Sequence, residues 1–206
     1  MRKLLIVGAS GHGRVVADIA IALGKYEAIA FADDDTSITE CMGFPVIGQI
    51  SDLGRFVSEY EYFVAIGNVA HRSRILTAIK EMNGILATLV HPQAVVSSYA
   101  TIGDGCAVMP GAVINASARI GTGCIINTCA SVDHDCRLDD YVHVAVGAHL
   151  AGAVSIGYGT WIGAGAVIRN NIDICGQCMI GAGAVVVKNI TQPGTYVGVP
   201  ARRIHV

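Results

Sequence analysis

A branched aliphatic residue recurs at every sixth position through the C-terminal half of the chain. An α-helix repeats about every 3.6 residues and a flat strand about every two, so a period of six fits neither. It predicts a solenoid whose coils have three short strands each, with six residues to a face. The fifteen positions are Ile102, Val108, Ile114, Ile120, Ile126, Val132, Leu138, Val144, Leu150, Ile156, Ile162, Ile168, Ile174, Ile180 and Val186.

A second column of small or compact residues keeps the same period, four residues after each aliphatic. We interpret the two columns as a triangular prism of five coils, with aliphatics in the interior and small residues at the corners. Glycines such as Gly103, Gly157 and Gly181 follow the aliphatic directly, and we expect them to supply unusual backbone dihedrals there. The tail after Ile190 leaves the period and is expected to cap the last coil. The small residues are Cys106, Ala112, Ala118, Cys124, Ala130, Cys136, Val142, Ala148, Val154, Thr160, Ala166, Ile172, Cys178 and Ala184.

The composition limits the class of protein. Fourteen basic and sixteen acidic residues in 206 give a net charge of −2, which offers no general attraction for nucleic acid. The first apolar stretch stops at Gly8, too early for a signal peptide, and no apolar run is long enough to span a membrane. Seven cysteines, including one C-x-x-C pair at Cys175 and Cys178, predict neither disulfides nor a zinc site. We expect a cytoplasmic protein with reduced thiols that binds neither nucleic acid nor membrane.

Residues 1–90 lack the sixfold pattern and predict a separate α/β domain. Apolar strands alternate with segments of helical spacing, which is typical of a small Rossmann-like parallel sheet that binds ligands at the carboxyl ends of its strands. The first helix is expected to bury Val15, Ile19 and Leu23 along one side. The domains are therefore predicted at 1–90 and 91–206. The predicted strands are 3–7, 28–32, 44–47, 62–66 and 85–90, and the predicted helices are 14–23, 51–58 and 72–82.

The turn after the first strand reads G-x-x-G-x-G at residues 8–13, which differs from the dinucleotide fingerprint G-x-G-x-x-G. Its glycines would still let backbone N–H groups approach a phosphate at a helix N-terminus. Asp33 follows about twenty residues later, where a carboxylate commonly accepts from a ribose or base. A tight turn beside a solvated acidic loop explains the same residues equally well. A nicotinamide dehydrogenase is not expected, because ninety residues make only half of a dinucleotide fold.

The segment Asp133-His134-Asp135 interrupts the bland composition of the repeat. Val132 and Cys136 stay in phase, so the histidine and its acidic neighbours occupy corner and outer positions. Acyl transfer from a thioester needs a base, and an imidazole with an ordinary pKa of ~6.5 suits that task near neutral pH. A carboxylate beside it can fix its tautomer and stabilise the imidazolium. The alternative interpretation is a polar residue on a surface or a subunit interface.

Four features together resemble one branch of the hexapeptide-repeat acyltransferases. They are G-A-S-G-H-G at 8–13, F-A-D-D at 31–34, A-I-G-N at 65–68 and the hexapeptide repeat itself. The branch contains the bacillosamine and perosamine N-acetyltransferases and the sialic acid O-acetyltransferases, and the resemblance covers essentially the whole chain. It implies that the repeat forms a left-handed parallel β-helix, although parallel crossovers are normally right-handed. It also implies a homotrimer with active sites in the clefts between subunits, and a place in polysaccharide or glycan biosynthesis.

The same resemblance implies roles for individual residues. His134 would be the general base of acetyl transfer, and Asp135 would orient it. Acetyl-CoA would bind to the β-helix as co-substrate, and no metal is expected. The residues implied to contact the coenzyme are Asn127, His143 and Gly152. The residues implied to contact a UDP- or GDP-linked sugar are Gly11, His12, Asp33, Asp34 and Asn68.

The expected activity is N-acetylation of the 4-amino group of a nucleotide-linked amino sugar. One alternative keeps the mechanism and makes the acceptor a hydroxyl of sialic acid. A second is a metal hydratase on the same prism, like the γ-type carbonic anhydrases, whose signature includes a histidine pair five residues apart. Here His134, His143 and His149 are separated by nine and six residues. A third is a non-catalytic nucleotide-sugar binder or scaffold.

Overall fold

The computed structural model describes residues 2–204, and the chain divides into two compact units between Pro92 and Gln93. The N-terminal unit is a six-stranded sheet with strand order β3-β4-β2-β1-β5-β6, parallel except where β3 meets β4. In chain order its elements are β1 Arg2–Val7, α1 Gly11–Leu23, β2 Tyr26–Ala32, β3 Glu40–Cys41, β4 Phe44–Gly48, the 3-10 helix Ile50–Phe56, β5 Tyr60–Val64, α2 Val69–Glu81, β6 Ile85–Leu86 and β7 Leu89–Val90.

The centre of this sheet forms because its strands are apolar on both sides. Residues 4–7 of β1 are all fully buried, as a strand covered on both faces of a parallel sheet requires. Helix α1 ends at Gly24, which has a left-handed φ of 61° suited to glycine. The predicted buried side of this helix is wrong at Val15, which is 39% exposed, whereas Val16 and Ile19 are buried. The buried side of α1 is therefore rotated by about one residue from the side that the spacing of apolar residues predicts.

Several elements in this unit differ from the sequence prediction, among them β5, which begins at Tyr60, and α2, which begins at Val69. Helix α1 begins at Gly11, so the last three residues of the glycine motif form its first turn instead of a loop. The predicted helix at 51–58 is a 3-10 helix, and the predicted last strand is divided into β6 and β7. The strand β3 was missed because it has only two residues and pairs as a short antiparallel arm.

The C-terminal unit is a three-sided, left-handed parallel β-helix, as predicted. The strands of the first face are Ala107–Val108, Ile125–Ile126, His143–Val144, Trp161–Ile162 and Cys178–Ile180. Those of the second face are Val95–Val96, Val113–Ile114, Ser131–Val132, His149–Leu150, Val167–Ile168 and Val185–Val186. Those of the third face are Thr101–Ile102, Arg119–Ile120, Arg137–Leu138, Ser155–Ile156 and Asp173–Ile174.

Each residue of the β-helix pairs with the residue eighteen positions later, so the two sequence columns stack along the interior. Val113 pairs with Ser131, for example, and Ser131 with His149. Every aliphatic of the series is buried except Ile102, and every member of the small column is buried. The predicted interior is thus confirmed, and the stacked aliphatics supply the apolar area that holds the coils together.

The explanation given for the glycines after each aliphatic is wrong. The glycines at 103, 121, 157, 163 and 181 do not have a positive φ; an added Cβ would instead lie 2.4–2.8 Å from atoms of the next coil or the cap. Close approach of neighbouring coils, and not backbone freedom, excludes a side chain there. The left-handed residue is the third after each aliphatic, with φ between 54° and 71°. The residues in this column are Gly105, Gly111, Ser117, Gly123, Cys129, Asp135, Tyr141, Gly147, Ala153, Gly159, Gly165, Asn171, Gln177 and Gly183.

The tail covers the open edge of the first face. Gly194–Val197 pairs in parallel with Cys178–Ile180, and Arg202–Ile204 folds back antiparallel on it. The edge strand of the last full coil therefore has its backbone groups paired, which removes a site of edge-to-edge association.

Candidate active site

The His134–Asp135 pair lies at a corner of the β-helix, directly after the second-face strand Ser131–Val132. Asp135 occupies the left-handed column with a φ of 60°, a conformation that aspartate tolerates better than most residues. The corner is fixed from both sides, because the Asp135 N–H donates to the Ala116 carbonyl and the His134 carbonyl accepts from the Ala153 N–H. Both side chains are about 60% exposed, at 60% for the histidine and 61% for the aspartate. The imidazole is thus reachable from solvent on a rigid backbone.

The hydrogen bond between these side chains defines the tautomer of the ring. His134 Nδ1 lies 2.8 Å from Asp135 Oδ2. An ionised carboxylate only accepts, so Nδ1 carries the proton and Nε2 keeps the lone pair that a general base needs. The bond to Asp135, followed by the charge of Asp133, raises the pKa of His134 above its ordinary value. The pair therefore has the geometry of a general base, and the raised pKa makes the ring a stronger base than an ordinary imidazole.

Gly152 makes room for the imidazole. It lies one coil beyond His134, and an added Cβ would be 2.5 Å from Nε2 and 2.6 Å from Cε1 of that ring. Any larger residue at this position would push the ring away from its place. The sequence prediction brought Gly152 and His134 to the same site, and the structure places them in direct apposition.

Asn127 and His143 form a second pair at a different corner. Asn127 follows the first-face strand Ile125–Ile126, and its Nδ2 lies 3.2 Å from Nε2 of His143 in the next coil. His143 is 6% exposed and its ring packs on Trp161, with ring centroids 4.0 Å apart. His134 follows a second-face strand, so the breadth of the second face separates the two pairs within one chain. His149 projects from that second face, where its Nδ1 contacts the Ser131 hydroxyl at 2.9 Å.

In the N-terminal unit, the predicted carboxylates hold the backbone around the glycine motif. Asp33 Oδ2 accepts from the Ala9 N–H at 2.7 Å, and its Oδ1 accepts from the Asp35 N–H at 2.9 Å. Asp34 Oδ1 accepts from the Ile50 N–H at 2.9 Å. An ionised carboxylate has about four acceptor sites, so these bonds leave capacity for a ligand. Both aspartates have a structural role at the carboxyl edge of the sheet that the sequence reasoning missed.

Asn68 is the N-cap of α2, since its Oδ1 accepts from the His71 N–H at 3.0 Å. Four residues later Arg72 is 1% exposed and donates from Nη1 to the carbonyls of Ile66 and Gly67, at 2.9 and 2.7 Å. Sequence reasoning missed Arg72, although an arginine on the apolar side of a helix is a usable signal. A buried guanidinium needs such partners to offset its desolvation.

Gly11 and His12 lie in the first turn of α1, which has no acidic residue and no capping side chain. The Nε2 atom of His12 is buried without a hydrogen-bond partner in the described chain. Burial, followed by the charge of Arg72, lowers the pKa of His12 to about 4. The imidazole is therefore neutral at physiological pH. The tight position in this turn is Gly13, where an added Cβ would lie 2.0 Å from the Gly8 carbonyl oxygen, whereas one on Gly11 would meet open space.

The arrangement of possible metal ligands and the character of the helices bear on the class of site. Across residues 2–204, no group of three or more His, Cys, Asp or Glu side chains has the arrangement needed to hold a metal ion. Within the same range, no helix has both the length and the apolar character to cross a bilayer.

Comparison with known proteins places the chain in a family. Residues 3–79 match the family model described as the PglD N-terminal domain. Over 164 residues the chain is 32% identical to the GDP-perosamine N-acetyltransferase of Escherichia coli O157:H7, covering 77% of this chain and 74% of that relative. The chain belongs to the bacillosamine and perosamine N-acetyltransferase family.

Other members of this N-acetyltransferase family agree with that placement. The UDP-N-acetylbacillosamine N-acetyltransferase of Bacillus subtilis (strain 168) is 36% identical over 114 residues, a stretch of 53% of this chain and about half, 52%, of the relative. The acetyltransferase domain of PglB from Neisseria gonorrhoeae FA1090 superimposes with a TM-score of 0.96 at 42% identity, over 99% of this chain and 100% of that domain. The same domain has been solved in complex with acetyl coenzyme A.

PerB from Caulobacter crescentus, solved in complex with CoA and GDP-perosamine, superimposes with a TM-score of 0.94 at 35% identity, over 100% of this chain and 98% of the enzyme. Two variants of that perosamine N-acetyltransferase, each with a single histidine replaced, have been solved with the same two ligands.

Proposed function

We propose that the chain is an acetyl-CoA-dependent N-acetyltransferase that acts on the 4-amino group of a nucleotide-linked amino sugar. The observation that carries the proposal is the His134–Asp135 pair, in which the proton on Nδ1 is held by a carboxylate and the Nε2 lone pair is available. The ligands of the family members support the two substrates. The Neisseria domain binds acetyl coenzyme A, and the Caulobacter enzyme binds CoA together with GDP-perosamine.

The proposed reaction is a direct transfer. The amine nitrogen attacks the carbonyl carbon of the acetyl thioester, while Nε2 of His134 takes the proton that the nitrogen loses. The tetrahedral intermediate collapses by breaking the carbon–sulfur bond, and the CoA thiolate recovers the proton from the imidazolium. Asp135 stabilises that imidazolium through the bond to Nδ1, which a carboxylate in this position does in other His–carboxylate pairs. The step yields an amide and free CoA and uses no further reactant.

The acetyl-pantetheine arm is proposed to contact Asn127, His143 and Gly152. The amide of Asn127 lies against the buried His143 ring, and these two polar groups could orient the thioester or donate to its developing oxyanion. Gly152 presents backbone without a side chain beside Nε2 of His134, so a slender acyl arm could reach the base there.

The nucleotide sugar is proposed to bind at the carboxyl edge of the N-terminal sheet. The free N–H groups of the first turn of α1, around Gly11, suit a diphosphate because no side chain caps them. The neutral, partly buried His12 can donate or accept a hydrogen bond without charge. Asp33, Asp34 and Asn68 would contribute their remaining acceptor and donor capacity to the ribose, the base or the sugar.

A homotrimer is proposed because the candidate base and the candidate coenzyme-binding pair lie at two different corners of one chain. If a neighbouring copy packs against the second face, its Asn127–His143 corner can approach the His134 corner of the first copy. The residues that project from this face support such burial. Val95 is 64% exposed, Val167 is 39% exposed, and Val146 at the adjoining corner is 50% exposed. Light scattering on the purified protein would measure the assembly, and a monomer with full activity would remove this part of the proposal.

The cytoplasm is the proposed compartment, and glycan or polysaccharide biosynthesis the proposed context. All seven cysteines are free thiols, which fits a reducing environment.

An acceptor panel tests the activity. Purified protein is incubated with acetyl-CoA and with UDP-linked 4-amino sugars, GDP-linked 4-amino sugars or free sialic acid, and CoA release is followed. We expect an alkali-stable amide on a nucleotide-linked amine, whereas an alkali-labile ester on sialic acid would favour the O-acetyltransferase. The His134→Ala variant should lose about 100-fold or more in kcat, the usual contribution of a general base, with unchanged thermal stability. Unchanged turnover in that variant would remove the catalytic assignment and leave a binder or scaffold.

A further inference from the structure

A carboxylate that the proposed reaction does not use lies beside the candidate base. Asp133 precedes His134, and its Oδ1 accepts from the His134 backbone N–H at 2.7 Å. The same oxygen accepts from Nδ2 of Asn115, also at 2.7 Å. One carboxylate oxygen thus ties the corner that carries the base to a side chain of the preceding coil.

The contact between Asn115 and Asp133 follows from the register of the β-helix. Val113 and Ile114 pair with Ser131 and Val132, so the next residue on each coil, Asn115 and Asp133, must stack. The side-chain amide of Asn115 therefore reaches the Asp133 carboxylate from the preceding coil. Gly152 faces the His134 ring from the opposite coil. The base is held between two neighbouring coils, one by a hydrogen bond and the other by steric contact.

We propose that Asn115 is a positioning residue for His134, acting through Asp133. This rests on the proposed function, since it concerns the base of that reaction. Asn115 keeps the Asp133 carboxylate bound to the backbone of His134 and close to its imidazole. Asp133 in turn supplies a negative charge that stabilises the imidazolium formed during transfer. The site thus has two carboxylates with different tasks: Asp135 bonds the ring, and Asp133 fixes the backbone under it.

Electrostatics agree with this geometry. The Asn115 amide, followed by the His134 N–H, lowers the pKa of Asp133, so the carboxylate is ionised wherever the enzyme works. Asp135 and Asp133 are the charged groups that act on the His134 ring within the described chain, and together they raise its pKa. Hydrogen bonds to an ionised group are about twice as strong as neutral ones. The two bonds that Asp133 accepts can therefore hold its carboxylate in place although the site is exposed.

Steady-state kinetics on four variants test the proposal. Asn115→Ala and Asp133→Ala should each lower kcat about tenfold, or about 1.4 kcal/mol, with KM for both substrates within about twofold of the starting enzyme. Because Asn115 acts through Asp133, the double variant should be no slower than Asp133→Ala alone. Ser97→Ala is the matched control, since Ser97 occupies the same column one coil earlier and its hydroxyl accepts from the Tyr99 N–H, away from the candidate site. It should leave kcat unchanged.

A titration that needs no substrate separates this proposal from the proposed function. Asp133→Asn keeps an oxygen that accepts both hydrogen bonds but removes the charge, so the imidazole resonances of His134 should titrate at lower pH by NMR. With His134→Ala inactive, wild-type kcat in Asn115→Ala, or additive losses in the double variant, would overturn the positioning role and leave the proposed function in place. If His134→Ala is fully active while Asp133→Asn still shifts the titration, the proposed catalytic function fails and only the electrostatic effect of Asp133 on the ring stands.

Discussion

The two units place a histidine at their candidate sites in opposite environments. In the β-helix, His134 is exposed and bonded to Asp135, which raises its pKa. In the N-terminal unit, the Nε2 of His12 is buried and the pKa is lowered to about 4. The raised pKa makes the first imidazole a stronger base than an ordinary one, whereas the second stays neutral at physiological pH and can only form hydrogen bonds. This difference supports the proposal that the β-helix supplies the base and that the α/β unit binds the acceptor.

The units also differ in how sequence determines contacts. In the β-helix a residue stacks on those eighteen positions away, so Asn115 meets Asp133, and Gly152 meets His134. In the N-terminal unit the connections have unequal lengths, and the backbone bond from Ala9 to Asp33 follows from no fixed spacing. Glycines allow the two units to be compared, because each unit has glycines at which a close contact leaves no room for a side chain. Substitutions at these contacts test whether the two kinds of site depend on packing in the same way.

The largest effect is expected from Gly13→Ala in helix α1. The new Cβ would lie 2.0 Å from the carbonyl oxygen of Gly8 and 3.3 Å from the Phe31 ring, and a clash with backbone leaves little room to relax. We expect a loss of about 3 kcal/mol in the free energy of unfolding, the upper range for overpacking, measured by urea denaturation followed by circular dichroism. Gly11→Ala, two residues earlier in open space, is the control and should be neutral or slightly stabilising. Equal stabilities of the two variants would contradict the packing argument.

Gly152→Ala should separate activity from stability in the β-helix. Its Cβ would overlap the His134 ring at 2.5 Å, but that ring is exposed and can rotate away, so the fold should survive. Misplacing a catalytic group by about 1 Å can cost about 100-fold in rate, or about 2.7 kcal/mol. We expect that loss in kcat with a melting temperature within a few degrees of the starting protein. Gly165→Ala meets no atom within 4 Å, and its left-handed φ of 66° is close to the 57° that Ala153 already has in the same column, so this control adds a methyl group without a clash and should retain activity.

The sequence predicted more of the β-helix than of the N-terminal site. The sixfold columns were sufficient for the interior, the coils and the corner position of His134. They were not sufficient for the left-handed column, because Tyr141 and Ala153 occupy it as well as glycines and asparagine, so residue type marks the column at some coils and not at others. In the N-terminal unit, the hydrogen bond from the Ala9 N–H to Asp33 and the burial of Arg72 depend on how the helices and strands pack. Such contacts between segments distant in sequence leave no periodic trace.

Thr160→Val tests a polar exception inside the repeat. Thr160 is fully buried in the small-residue column. Its hydroxyl accepts from the Cys178 N–H at 3.2 Å and donates to the Cys175 carbonyl at 3.1 Å. At comparable corners a backbone N–H donates directly to a backbone carbonyl across the turn, as the Ala166 N–H does to the Gly163 carbonyl. Valine keeps the volume but leaves both buried backbone groups unpaired, which should cost about 2 kcal/mol of unfolding free energy.

Thr160→Ser is the matched control for that change, because it keeps the hydroxyl and loses one methyl group. It should cost about 1 kcal/mol, the usual cost of one buried methyl. A valine variant as stable as the serine variant would show that the bridging hydroxyl contributes little to the corner.

The smallest expected effect, from Asp135→Asn, tests the contrast between the two histidines. The proposed reaction needs unprotonated His134, so the acidic limb of the kcat/KM profile should report the pKa of this ring in the free enzyme. Asp135 is the main cause that raises this pKa, and its removal should therefore move the limb to lower pH. The plateau rate should fall about tenfold, or about 1.4 kcal/mol, because the amide no longer fixes the tautomer. Asp139→Asn, an exposed carboxylate four residues away, should shift neither. His12 titrates far below this range, near 4, so a limb that stays in place would mean that the base is neither of these imidazoles.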